Sequence, residues 1–140
     1  MSDAIAGVGT SFKRSDMASS PTFSAVAEVN SIGGPTMSRE FYDVTSLDST
    51  GGYREFIAGF RDGGEVTLNM NFTAAGYAAM KTDFENDDAV DYQIVLPDTG
   101  ATTLQFSGFV TGLPLNIPTA DKVTCDVTIK VSGQVELNPT

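Results

Sequence analysis

Residues 57–88, IAGFRDGGEVTLNMNFTAAGYAAMKTDFENDD, decide how the rest of the chain is read. From Glu65 to Phe72 the side chains alternate. Val66, Leu68, Met70 and Phe72 lie on one face, and Thr67, Asn69 and Asn71 on the other. A period of two describes a strand buried on one side only. Thr73 is placed to cap a helix, its hydroxyl accepting from an early helical amide. Tyr77, Met80 and Phe84 then recur at spacings of three and four, which predicts one apolar stripe facing a sheet. Asp83, Glu85, Asp87 and Asp88 would crowd the negative end of the helix dipole, so the helix is expected over 74–85. A half-buried strand followed at once by a single short helix points to an α+β, mostly β, fold.

Working outward, the C-terminal half adds strands. DYQIVL (residues 91–96) ends at Pro97-Asp98-Thr99-Gly100, a strong turn signal, and TTLQFSGFVTG returns as its hairpin partner. Gly108 within that run suggests a bulge or a close backbone approach. LPLNIP carries two prolines and is denied a central-strand role. The longest strand is expected from Lys122 to Leu137. Val123, Cys125, Val127, Ile129 and Val131 face inward, and Thr124, Asp126, Thr128, Lys130 and Ser132 face outward. On the N-terminal side, TFSAVAEVNSI after Pro21 reads as one strand with Phe23, Ala25, Ala27 and Val29 on one face. Residues 1–20 are small, polar and glycine-rich and read as a flexible arm, leaving 21–140 as a single domain. Residues 33–64 read as a long loop bracketed by glycine doublets. Its Phe41, Tyr42, Leu47, Tyr53, Phe56, Ile57 and Phe60 are too apolar for a free linker. Either the loop folds back on its own domain or it packs on another chain. The architecture expected is a β-sandwich or small barrel with one helix on its flank.

Composition removes several function classes. A chain of 140 residues is long enough to bury roughly two-thirds of its unfolded surface in one domain. Its 18 acidic and 8 basic residues give a net charge of −10, which argues against a DNA-gripping face. The same charge suits a surface that nucleic acid or an anionic membrane should not adhere to, or serves solubility alone. There is no histidine, so the usual near-neutral acid–base group and the commonest metal ligand are missing. Cys125 is the single cysteine and, on an apolar strand face, reads as a buried inert thiol. No lysine follows a glycine, no nucleophile elbow occurs, and no segment is long and apolar enough to span a bilayer. The N-terminus has no signal-peptide core, so synthesis in the cytosol is the expectation. The carboxylates Asp83, Glu85, Asp87, Asp88 and Asp91 invite a calcium reading, but the D-x-D-x-D-G loop is missing and a solvated acidic rim fits them better. No metal, cofactor or catalytic residue is expected, and the chain is read as a non-enzyme.

The order of features resembles a known family. It runs from the strand at Phe23–Val29 through YDVTSLDSTGG, the long loop, IAGFRDGGEVTLNMNF and a short helix to a C-terminal strand in VSGQVEL. This is similar to the major tail tube protein of long-tailed (lambda-like, siphovirus) bacteriophages, over about residues 20–138. Asp43-Val44-Thr45-Ser46 and the G-x-x-D-x-G-E segment Gly59–Glu65 are its most telling pieces. The resemblance implies a structural virion protein whose hexameric rings stack into a tube. DNA passes through the lumen without specific binding. Arms and the long loop bridge subunits within and between rings. It further implies tape-measure, tail terminator and tail-tip proteins as partners, no membrane partner, and a location in the tail tube of the virion. On that reading Phe41, Tyr42, Phe56 and Phe60 are candidate inter-subunit contacts. Asn69, Asn71, Asp126 and Thr128 are candidate lumen-lining residues, unless their faces simply meet solvent on the outside of the tube. The alternative is a monomeric β-sandwich binding module, such as a capsid decoration or adhesin domain, which predicts no polymerisation.

Overall fold

A computed structural model describes residues 7–15, 22–26 and 28–138. The alternating stretch forms β6 (Glu65–Asn71), with Val66, Leu68 and Met70 at most 2% exposed. It leads into α1 (Ala74–Glu85), where the Thr73 hydroxyl accepts the Gly76 N–H at 3.0 Å. The remaining strands are β1 (Ser11–Ser15), β2 (Phe23–Ala25), β3 (Val29–Gly33), β4 (Ser38–Asp43), β5 (Phe56–Asp62), β7 (Val90–Val95), β8 (Thr103–Gly112), β9 (Leu115–Asn116) and β10 (Thr124–Leu137). The fold is mostly β with one helix.

The main sheet runs β2-β1-β7-β8-β10-β6-β3, with β9 attached to β10, and every pairing in it is antiparallel. Among the described residues the path is open, so no barrel closes. It curls nonetheless. A cleft of about 690 Å³ is lined by Val29–Ile32 of β3 and also by Ile94, Leu96 and Leu104 from the other half. One apolar cluster fills the curl, drawing Phe12 from β1, Tyr92 from β7, Phe106 from β8, Val127 and Ile129 from β10, and Met80 from α1. Phe12 stacks on Tyr92 at 5.5 Å, and Tyr92 meets Phe106 at 5.8 Å. Gly108 is a close approach: a Cβ there would lie 2.7 Å from the Lys130 carbonyl on the neighbouring strand.

Four sequence expectations are corrected. Residues 11–15, expected within a free arm, form β1 inside the sheet, because Phe12 is apolar enough to enter the core and is 1% exposed. The rest of the expected arm lies largely outside the described residues. The single strand expected after Pro21 is two strands on opposite edges of the sheet. Glu28 at φ +57° turns the chain between them, its carbonyl accepting the Asn71 N–H at 2.9 Å. The expected loop at 33–64 contains a two-stranded antiparallel hairpin, β4 with β5. Finally, the helix buries Met80 and Asp83, and leaves Phe84 50% exposed. Phe72 also falls outside the inward face, 40% exposed, with its ring 5.5 Å from that of Tyr77.

Candidate functional site

Asp83 is buried, against the expectation of a solvated rim, because two elements supply partners. The Arg14 Nε donates to Asp83 Oδ2 at 2.9 Å, a second guanidinium nitrogen contacts Oδ1, and the Tyr92 hydroxyl donates to Oδ2 at 2.8 Å. Burial is the main force pushing the Tyr92 pKa well above its ordinary value, with the Asp83 charge adding to it. The Arg14 pKa is raised chiefly by its hydrogen bond to Asp83. This network ties β1, α1 and β7 together, and it is structural. Cys125 is fully buried, and burial raises its pKa as well. Among the described residues, no group of three or more His, Cys, Asp or Glu is placed to hold a metal ion, and no helix is long and apolar enough to cross a membrane.

The hairpin is a different surface. Phe41 is 63% exposed, Tyr42 50%, Phe56 56% and Phe60 83%. Met37, Val44, Leu47, Tyr53 and Ile57 are exposed with them. Register pairs Phe41 with Ala58, Tyr42 with Ile57 and Asp43 with Phe56, so both faces of the ribbon carry apolar side chains. Gly59 lies beneath the Tyr42 ring, where an added Cβ would come within 2.5 Å of it. The tip is held by its own polar groups. Thr45 N–H donates to Asp43 Oδ1 at 2.8 Å, Glu55 N–H donates to Thr45 Oγ1 at 2.7 Å, and Ser49 Oγ donates to Glu55 at 2.7 Å. Hydrogen bonds from Thr45, with Arg54 beside it, hold the Asp43 carboxyl below the usual range. An ordered ribbon with uncovered apolar side chains is the kind of surface that marks interaction sites. At its base, Val131 N–H donates to the Gly64 carbonyl at 2.9 Å, fastening it to β10.

The second group of candidates lies on the outer face of β3, β6 and β10. Asn69 donates to Asp126 at 2.7 Å, and the Asn30 amide donates to both Asn69 and Asn71 at 2.9 Å. Asn71 also donates to the Glu28 carboxylate at 3.4 Å, and Lys122 reaches Asn30 at 3.4 Å. Thr128, across from Thr67, shares the face but stands outside this ladder. The structure thus joins Asn69, Asn71 and Asp126, while the four aromatic candidates share the separate hairpin. Sequence reasoning missed Asn30, which sits at the crossing of the ladder, because the single strand expected at 22–32 gave it no place beside β6.

A family model described as lambda phage tail tube protein matches residues 5–138. No curated protein matches the sequence. Among solved structures, the tail of an empty GTA particle, computed with C6 symmetry, superposes with a TM-score of 0.79 at 22% identity, covering 97% of this chain and 100% of that one. A chain from the sheath/tube terminator of an extracellular contractile injection system gives 0.73 at 14% identity, covering 99% of each chain. The SPP1 tail tube gives 0.70 at 12% identity, covering 94% of this chain and 78% of that one. At these identities the superpositions speak for a shared fold.

Proposed function

This chain belongs to the lambda phage tail tube protein family, and on that premise we propose that it is a structural virion protein that self-assembles into the tail tube through which DNA is delivered. The observation that carries the reading is the hairpin: an ordered ribbon with exposed apolar side chains on both faces, in a chain whose core is otherwise closed. Burying each exposed aromatic against a neighbour contributes about 2 kcal/mol. Four of them therefore supply a driving force on the scale of a specific interface, before ordering costs are subtracted. Phe41, Tyr42, Phe56 and Phe60 are the contacts between subunits.

The assembly is a stack of hexameric rings, a reading supported by the sixfold symmetry of the GTA tail whose chain this one superposes on. Tape-measure, terminator and tip proteins are its partners at the ends and inside. The role is mechanical and needs no reaction. The ladder of Asn69, Asn71 and Asp126, with Thr128, lines the lumen, where polar and acidic groups let a phosphate backbone slide without adhering. Replacing Asp126 by Lys is expected to slow DNA delivery; unchanged delivery would remove these residues from the lumen.

Negative-stain microscopy of the purified protein over a concentration series, paired with limited proteolysis, tests the assembly. Rings or tubes should form as concentration rises, with residues 33–64 becoming protected on assembly. A protein that stays monomeric at every concentration, with or without a tail initiator complex and with 33–64 already protected, would instead be a monomeric binding module.

A further inference from the structure

We propose that Arg39 and Arg61 form a carboxylate-binding clamp that docks onto Asp87 and Asp88 of a second copy of this chain, so that a charged contact sets the register of the assembly. The inference rests on the tube-forming function and adds to it a specific docking pair. Register places Arg39 of β4 directly opposite Arg61 of β5. Like charges facing each other across two strands destabilise a ribbon. The cost is notable in a chain with only 8 basic residues against 18 acidic ones.

Among the described residues, nothing neutralises the pair. The Arg39 guanidinium reaches only the Gly59 carbonyl, at 3.4 Å, and the Arg61 side chain makes no hydrogen bond or ion pair among the described residues. The two carboxylates beside them are otherwise engaged. Glu40 accepts from the Tyr42 hydroxyl at 3.0 Å, and Asp62 accepts from Gly64 N–H at 2.8 Å and from Lys130 at 3.4 Å. Both arginines border an open cleft of about 1190 Å³ between the hairpin and the far end of β10, with Met37 and Phe60 on its walls. Two positive forks beside Met37 and Phe60 form a surface for paired carboxylates with hydrophobic neighbours.

The occupant follows from charge complementarity. Among the described residues, most exposed carboxylates already hold a partner, such as Asp43 with Arg54, Glu55 with Ser49 and Asp126 with Asn69. Asp87 and Asp88, in the bend after α1, are consecutive and exposed, and neither side chain has a hydrogen bond or ion pair among the described residues. Phe84, half-exposed on the preceding turn, supplies an apolar neighbour for the Met37 and Phe60 wall. Among the described residues, the cleft is lined by the hairpin with its flanking residues and by β10, so these carboxylates reach it from another copy.

The test is a charge swap read by sedimentation and microscopy of full-length protein. Arg39→Glu with Arg61→Glu, and separately Asp87→Lys with Asp88→Lys, should each raise the concentration needed for assembly at least about tenfold, while the four reversals combined restore most of it. All four side chains are exposed, so the monomer's circular dichroism and melting should not change. Wild-type assembly should also weaken as salt rises. If wild type assembles and the reversed arginines assemble equally well, the clamp is refuted and the tube function stands. If only the arginine reversal matters, or the combined variant is not rescued, Asp87 and Asp88 are not the occupant and the proposal fails. Wild type that never assembles overturns the function itself.

Discussion

Replacing Asp83 by Ala removes one carboxylate from a site that is 1% exposed and leaves two groups behind it. The Tyr92 hydroxyl, on a fully buried side chain, loses its acceptor, which costs about 1–3 kcal/mol. Arg14 loses its counter-charge, and breaking a buried pair by removing one member costs about 3–5 kcal/mol. Arg14 keeps 27% of its side-chain surface in contact with solvent, so water recovers part of that loss. The two costs also share one carboxylate and do not add in full. The expected loss is about 3–4 kcal/mol. With roughly 2.1 cal/mol/K of unfolding entropy per residue, that lowers the melting temperature of a chain this size by about 10–14 °C. Thermal and urea unfolding by circular dichroism, below the assembly concentration, measures it. Glu85→Ala, on the same helix but in an exposed pair with Lys81 at 3.5 Å, serves as control and should cost under about 0.5 kcal/mol. Arg14→Met, Asp83→Leu and Tyr92→Phe combined should recover most of the lost stability, since an apolar trio leaves neither a charge nor a hydroxyl orphaned. A loss below about 1 kcal/mol for Asp83→Ala, or no recovery in the triple variant, would show that the network does not hold β1 and α1 together.

Three further outcomes are expected. Because the folded pKa of Tyr92 is raised, its contribution to stability is full below the unfolded value near ~10 and is lost as pH rises through the folded value; alkaline unfolding curves should show this, and Tyr92→Phe should flatten the slope. Gly108→Val places side-chain atoms where even a Cβ meets the Lys130 carbonyl at 2.7 Å, and should cost about 1–3 kcal/mol in urea unfolding with no change in slope. Phe60→Ser, at a site 83% exposed, should leave monomer melting within about 0.5 kcal/mol of wild type while suppressing tubes in the microscope; unimpaired tubes would take Phe60 out of the interface.

The parts of the fold that were legible from sequence are those where local periodicity and burial agree. β6, β7, β8 and β10 each alternate over five or more residues, and their apolar faces meet in one core. The Thr73 cap sits where a hydroxyl must meet free amides. Elsewhere, long-range partners decided. β1 is short and polar except for Phe12, and its place in the sheet comes from pairing with β7, some 80 residues later. Asp83 reads as surface because its partners, Arg14 and Tyr92, come from strands distant in sequence or across the core. Glu28 at positive φ splits one apparent strand in two, a choice no side-chain pattern announces. The hairpin aromatics were identifiable as needing cover, since solvated loops seldom carry so many. That their backbone is an ordered ribbon, and that Arg39 faces Arg61 across it, depends on a pairing with a register shift between Arg39 and Phe41.

The strand order has a consequence for the geometry of the hairpin. Among the described residues β10 lies between β8 and β6, so strand pairing joins the half of the sheet made from β2, β1, β7 and β8 to the half made from β6 and β3 through it. β10 is also the last strand in chain order. A chain that has produced the hairpin and β6 but not β10 has β3 beside β6 and the Thr36–Glu65 hydrogen bonds at the hairpin base, but lacks the Gly64–Val131 bond that fastens that base to the rest of the sheet. Sheet completion waits for contacts far apart in sequence, which makes folding slow compared with a helical protein of this size. Without β10 the hairpin is not held in its final geometry against the sheet, so the shape of this exposed ribbon depends on the sheet being complete.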